Sequence, residues 1–195
     1  MPYLKHDLGP FRPAFDGTSP VGGFVNEPGQ AMTAGAGITA GTGTVYLAFV
    51  EDQGPILKTT IYLNLKGLKS GASAGDIIGV NAAANCHLGQ VTTAVNGKIF
   101  RASFSCLTIP ATGEPDIDIA TGTVATGTQD AAASGLTGYV LNLDHAADFT
   151  AAGQSLAFTT APAADSYLYL VTSGGADTAV YTAGEVIIEL LGYKA

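Results

Sequence analysis

The segment Ile56-Leu57-Lys58-Thr59-Thr60-Ile61-Tyr62-Leu63-Asn64-Leu65-Lys66 settles which periodicity governs this chain. Ile61, Leu63 and Leu65 alternate with Tyr62, Asn64 and Lys66. Successive side chains of an extended strand point to opposite faces, so a period of two marks a strand with one face on a core and one toward solvent. The same rhythm, or a short apolar run bounded by turn residues, recurs at 44–50, 75–80, 87–95, 98–109, 116–127, 139–143, 154–161, 166–173 and 179–193. In 98–109 it sends Phe100, Ala102, Phe104 and Cys106 inward and Arg101, Ser103 and Ser105 outward. Asn96-Gly97, a strong tight-turn dipeptide, is expected to join 87–95 and 98–109 as a hairpin. The run EVIIELLGY near the C-terminus is apolar in both phases, which predicts a central strand buried on both faces. No amphipathic helix and no repeat of fixed period interrupts the series. The expectation is an all-β chain folded as an antiparallel β-sandwich, with the jelly roll as its leading version.

Residues 1–43 break the pattern. The stretch LGPFRPAFDGTSPVGGFVNEPGQ mixes Pro and Gly with isolated aromatics and has no period, so it cannot build a core of its own. It is expected to form an extended N-terminal arm over 1–43, with TAGAGITAGTG (33–43) as a flexible exit into a sandwich domain over 44–195. Phe11, Phe15 and Phe24 need an apolar surface to lie on, and Arg12 adds charge. These four are the candidate interface residues.

Charge narrows the partners. The chain has 16 acidic against 8 basic residues, a net charge of −8. Residues 102–193 hold no Lys or Arg, and phosphate neutralisation needs cations, so nucleic acid is excluded as the partner of that half. No apolar run approaches the roughly 20 residues of a membrane-spanning helix, so no membrane is expected. The start MPYLKHDLGPFRPAF lacks a continuous apolar stretch, so no secretory signal is expected and the chain is read as made in a cytoplasm. There, Cys86 and Cys106 are expected to be buried free thiols. With only 12% charged residues and 26 glycines, the surface is one of small neutral side chains, suited to flat contacts between subunits.

Chemistry has few places to reside. GEPDIDIA sets Glu114, Asp116 and Asp118 at alternate positions, one face of a strand. Such a spacing matches the ~5–9.5 Å between glycosidase carboxyls, but carbohydrate clefts carry aromatic platforms and the chain has no Trp. Calcium takes about six to eight oxygens, of which these three acids could supply part. They are the candidate metal residues; no metal, no cofactor and no catalytic residue is expected. His6, His87 and His145 have no ligand spacing. Asp144-His145 shares ingredients with a catalytic triad but lacks a G-x-S-x-G elbow, and GAGITAGTG lacks the Lys-Ser/Thr of a phosphate loop. Tyr62, Tyr139, Tyr167, Tyr169, Tyr181 and Tyr193 read as half-buried packing.

Four phrases in order, YLNLKGLKSGASAGDIIGV, LGQV, CLTIPATGEPDIDIATGT and YLYLVTSGGADTAVYTAGEVIIELLGY, give residues 57–193 a resemblance to the virion structural proteins of marine tailed phages, chiefly those of cyanobacteria. The chain departs from that pattern at Leu107, where an acid is expected, and at Glu185, where a Lys is expected. The resemblance implies a capsid decoration (cement) protein: a β-sandwich on the virion exterior, bound to the major capsid protein, a homo-oligomer and commonly a trimer, and not an enzyme. It also implies that the acidic phrase is structural, lining a subunit contact or a loop. The alternative is a receptor- or glycan-binding spike or fibre head.

Overall fold

The computed structural model describes residues 32–174 and 178–194. Phe11, Arg12, Phe15, Phe24 and His6 lie outside the described residues. Among the described residues nine strands follow in chain order: β1 (Val45–Gln53), β2 (Ile56–Asn64), β3 (His87–Val91), β4 (Lys98–Ala111), β5 (Ile117–Gly122), β6 (Val140–Leu143), β7 (Ser155–Ala157), β8 (Ser166–Thr172) and β9 (Ala183–Tyr193). Two four-residue helical turns, α1 (Ala36–Thr39) and α2 (Thr93–Asn96), are the longest helices among the described residues.

The strands form two antiparallel sheets, ordered β1-β2-β9-β4-β7 and β3-β8-β5-β6. From β2 onward the chain changes sheet at every connection except β5 to β6. The eight strands β2 to β9 therefore divide four and four, β2-β9-β4-β7 against β3-β8-β5-β6, which is the double Greek key of a jelly roll. β1 extends the first sheet through a hairpin closed at Gly54-Pro55.

The period-two pattern positions the core as expected. Ile61 and Leu63 of β2, Ala102, Phe104 and Cys106 of β4, and Val186, Ile188 and Leu190 of β9 are all buried. They meet Leu88, Ile117, Ile119, Leu168 and Leu170 from the second sheet in one cluster. Both cysteines are free and fully buried. Burial pushes the Cys86 thiol up to about 11 and raises that of Cys106.

Five local expectations give way to packing. Phe100 is exposed rather than inward, because β4 carries one extra residue between Ile99 and Arg101 opposite β9, and this bulge turns the ring out. β9 is central but buried on one face only: Glu185, Ile187, Glu189 and Leu191 are half-buried on the outer side. Segment 75–80 is held by isolated bridges, Asp76 to Ala132 and Ile77 to Val171, rather than as a full strand. The stretch 33–43 is packed rather than a flexible exit, with Ile38 fully buried and Met32 and Ala34 in the core. Its glycines permit close approach: a Cβ on Gly37 would sit 2.4 Å from Cys86 Sγ.

The fifth concerns Asn96-Gly97, which does not make a hairpin. β3 and β4 belong to different sheets, and α2 with Gly97 (φ 72°) turns the chain between them. The Asn96 side chain is spent inside the corner. Its Oδ1 accepts from the Thr92 amide at 2.8 Å and its Nδ2 donates to Thr59 Oγ1 at 2.8 Å. Asn96 is fully buried, so Asn96→Ala strands both partners without water. That substitution is expected to lower the unfolding free energy by about 2–3 kcal/mol in urea titrations with an unchanged m-value.

Candidate functional site

The acidic phrase lies where β4 hands over to β5. Glu114 and Asp116 are in the connection and Asp118 is in β5. All three are less than a tenth exposed. They are therefore not a decorated outer face. Each is held from a different side. The Tyr181 hydroxyl donates to the Glu114 carbonyl at 2.7 Å, and the Asp116 amide donates to Glu114 Oε1 at 3.3 Å. The Ser173 hydroxyl, just past β8, serves both Asp116 and Asp118. The His145 amide donates to Asp118 Oδ1 at 2.6 Å. These contacts peg the loop after β6 onto the start of β5, and the Phe149 amide adds a bond to the Pro115 carbonyl.

His145 is the cationic candidate nearest these acids, but its ring faces apolar matter. It lies 4.5 Å from the Phe149 ring, which in turn packs edge-on against Phe104 at 5.3 Å. His145 Nδ1 sits 3.7 Å from Asp116 Oδ1, and neither atom makes a hydrogen bond among the described residues. Burial pushes the Asp116 carboxyl up to about 6, helped by the charges of Asp118, Asp148 and Glu114. Burial also raises Asp118 and lowers His145. The Asp116 carboxyl can hold a proton of its own at mildly acidic pH, and no hydrogen bond joins it to His145 among the described residues. Among the described residues, no group of three or more His, Cys, Asp or Glu is placed to hold a metal ion. The carboxylate facing His145 is Asp116 rather than its sequence neighbour Asp144. His87 lies elsewhere, edge-on to Tyr167 at 4.9 Å.

The second candidate is a surface that sequence reasoning missed: the outer face of the five-stranded sheet. Register places Leu47, Tyr62, Ile187 and Ser105 in one row across it, and Phe49, Thr60, Glu189 and Ser103 in the next. A third row runs Glu51, Lys58, Leu191, Arg101. Among the described residues, seven of the nine exposed large hydrophobics, Val45, Leu47, Phe49, Phe100, Leu107, Ile109 and Tyr193, belong to β1, β4 or β9. Lys58 pairs with Glu189 at 2.5 Å beside a shallow groove of about 310 Å³ that Arg101 and Leu191 also line. Glu185 is satisfied by neutral donors, Tyr62 Oη at 3.0 Å and Thr108 Oγ1 at 2.9 Å. By contrast, none of the four strands of the other sheet carries Lys or Arg. The signal was present in TVYLAFV, which is apolar in both phases. A run of that kind reads as a buried strand, whereas β1 is an edge strand with core on one side only.

No family model matches the chain, and no curated protein or solved structure does either.

Asp116 makes a testable contribution to stability. A carboxyl at about 6 in the folded chain and at its ordinary 3.8 when unfolded favours the protonated folded state. Its contribution is therefore full below pH ~4, declines as pH rises toward ~6, and is lost above that. From 3.8 to about 6, at ~1.4 kcal/mol per pH unit, the loss is at most on the order of 3 kcal/mol. Asp116→Asn is expected to raise Tm at pH 7.5 and to come close to the native chain at pH 3.5. Thermal melts that show the same difference at both values refute the assignment.

Proposed function

We propose that this chain is a structural coat protein of a tailed-phage virion, a decoration or cement protein on the capsid exterior, and that it has no catalytic role. The observation that carries the reading is the division of the molecule into two unlike sides. One sheet presents a bare outer face with exposed aliphatic and aromatic side chains and the nearby cations Lys58, Lys98, Arg101 and Lys194. The other presents strands without cations and is surrounded by Asp130, Asp144, Asp148 and Asp165. An apolar side, whose four cations are balanced by Glu51, Asp52, Glu185 and Glu189, suits attachment to a protein lattice. An acidic side suits exposure to the medium, where it repels other particles and polyanions. The phrase resemblance in 57–193 points to the same role.

Cementing would work by added buried area. A shell under internal pressure strains at junctions between capsomers, and a symmetric cap spanning several subunits contributes contact there. Closed rings of identical copies need self-matching surfaces, and small neutral side chains let backbones approach. Association in multiples of three follows from the resemblance. The major capsid protein is the partner, reached by the arm that carries Phe11, Arg12, Phe15 and Phe24.

Deleting residues 1–30 removes the arm and leaves the described core, which begins at the buried Met32. The truncated chain is expected to keep its thermal transition within a few degrees and to lose co-sedimentation with undecorated capsids. Retained binding would move attachment to the five-stranded face. The coat reading itself fails if the full chain does not bind capsids and is absent from purified particles. A copy number far below that of the major capsid protein would favour a spike or fibre head.

A further inference from the structure

Four strands lie at sheet edges, and three of them are poor partners for another strand. β7 has three residues, β6 has four, and β3 has five with a register break between His87 and Gln90. Short edges and irregular ones are the usual protection against edge-to-edge pairing, along with Lys and Pro on the strand. β1 has none of these protections. It runs nine residues, VYLAFVEDQ, without Lys, Arg, Pro or Gly, and pairs with β2 in unbroken register from Val45 to Gln53. Among the described residues its backbone bonds run to β2, leaving the opposite edge open. Leu47 is 57% exposed and Phe49 43%, both on the outer face.

We propose that β1 pairs antiparallel with β1 of a second copy about a two-fold axis at Ala48, joining two five-stranded sheets into one continuous sheet. The strand is self-complementary in that register. Leu47 falls opposite the partner's Phe49, and Phe49 opposite the partner's Leu47, an aromatic–aliphatic pair on each side of the axis. The ends match in charge. Glu51 lies on the same face as Leu47 and Phe49, and falls opposite the partner's Val45. The Lys66 stem lies beside Gly43, just before β1, where a Cβ would meet its Cδ at 3.2 Å. Lys66 makes no ion pair among the described residues and reaches toward the partner's Glu51. Asp52 is already neutralised within the chain by Lys194 at 2.5 Å, so no like charges meet. Such an interface is isologous, and each contact occurs twice. It goes beyond attachment to a capsid: combined with three-fold association, it would link neighbouring trimers to each other.

Sedimentation velocity on the full chain tests the pairing. The native mass is expected to be an even multiple of the protomer. Leu47→Lys, at an exposed position, is expected to halve that mass while leaving the thermal transition in place. Glu51→Lys and Lys66→Glu are each expected to shift the population toward the half-mass species, and the double charge swap to restore the native mass. An odd-multiple native mass, an unchanged mass in Leu47→Lys, or a charge swap that fails to restore would overturn the inference. Loss of capsid binding in Leu47→Lys without a change of mass would assign the edge to the capsid, overturning the pairing while leaving the coat reading intact. A halved mass in a protein that binds no capsid would do the reverse.

Discussion

The fold depends on β9 lying between β2 and β4. Its register with β2 runs unbroken from Glu185 opposite Asn64 to Tyr193 opposite Ile56, and on its other side it pairs with β4, through three register shifts, from Ala183 opposite Ala111 to Tyr193 opposite Lys98. Without β9 the first sheet is two separated pieces, β1-β2 and β4-β7, and Ile61, Leu63, Phe104 and Cys106 lose the strand that unites them. Because even the nearest pairs, Asn64 with Glu185 and Ala111 with Ala183, lie far apart in sequence, these pairings are all non-local. Closing such loops costs chain entropy before the contacts return it, so this topology belongs to the slow-folding class of sandwiches. The inward row Val186, Ile188, Leu190 recovers that cost through apolar burial.

The two sheets then diverge in how their second faces are covered. β5 is buried along all six residues and β8 along all but Tyr167. The chain itself supplies the cover. Gly127 lies close against Tyr169 and Ile77, Gly122 close against Leu136, and the Tyr169 hydroxyl donates to the Val124 carbonyl at 2.5 Å. Burying carboxylates in that layer is unfavourable unless their oxygens find donors or they hold a proton. Asp118 follows the first route, through the His145 amide and Ser173. Asp116 follows the second, with its carboxyl lifted toward neutrality. The loop after β6 is thus held by groups whose protonation is part of the packing.

Much of this could be read from the sequence, and the failures share a cause. Alternation gave the inward faces of β2 and, beyond Phe100, of β4 residue by residue, and strand rhythm gave the sandwich, whereas β9 was expected to be buried on both faces. Phe100 failed because a bulge depends on what β9 offers opposite it, which no local pattern reports. Asn96-Gly97 failed because the dipeptide also serves a corner whose Asn side chain reaches Thr59, 37 positions away. The glycines of 33–43 failed because close approach to Cys86 and flexibility have the same composition. For the acidic phrase, alternation was legible but burial was not. Whether Glu114, Asp116 and Asp118 face water depends on the loop carrying His145 and on Ser173, both distant in sequence.

The exposed face was hidden from the sequence for the same physical reason. A strand apolar in both phases has two physical meanings: an interior position, or an edge whose outer face awaits another surface. The sequence of β1 is compatible with both, and only the sheet order distinguishes them. Once β1 is at the edge, Val45, Leu47 and Phe49 cannot be core residues. Yet the second sheet shows that this chain covers an apolar face with its own loops where folding requires it. The five-stranded sheet receives no such cover from the described residues. Its small side chains, Ser103, Ser105, Ser155 and Ala157, keep the far side of the face low. A face left bare beside one that is wrapped, with the strand cations in the bare sheet alone, divides the molecule into a part that completes its own fold and a part left available for contact.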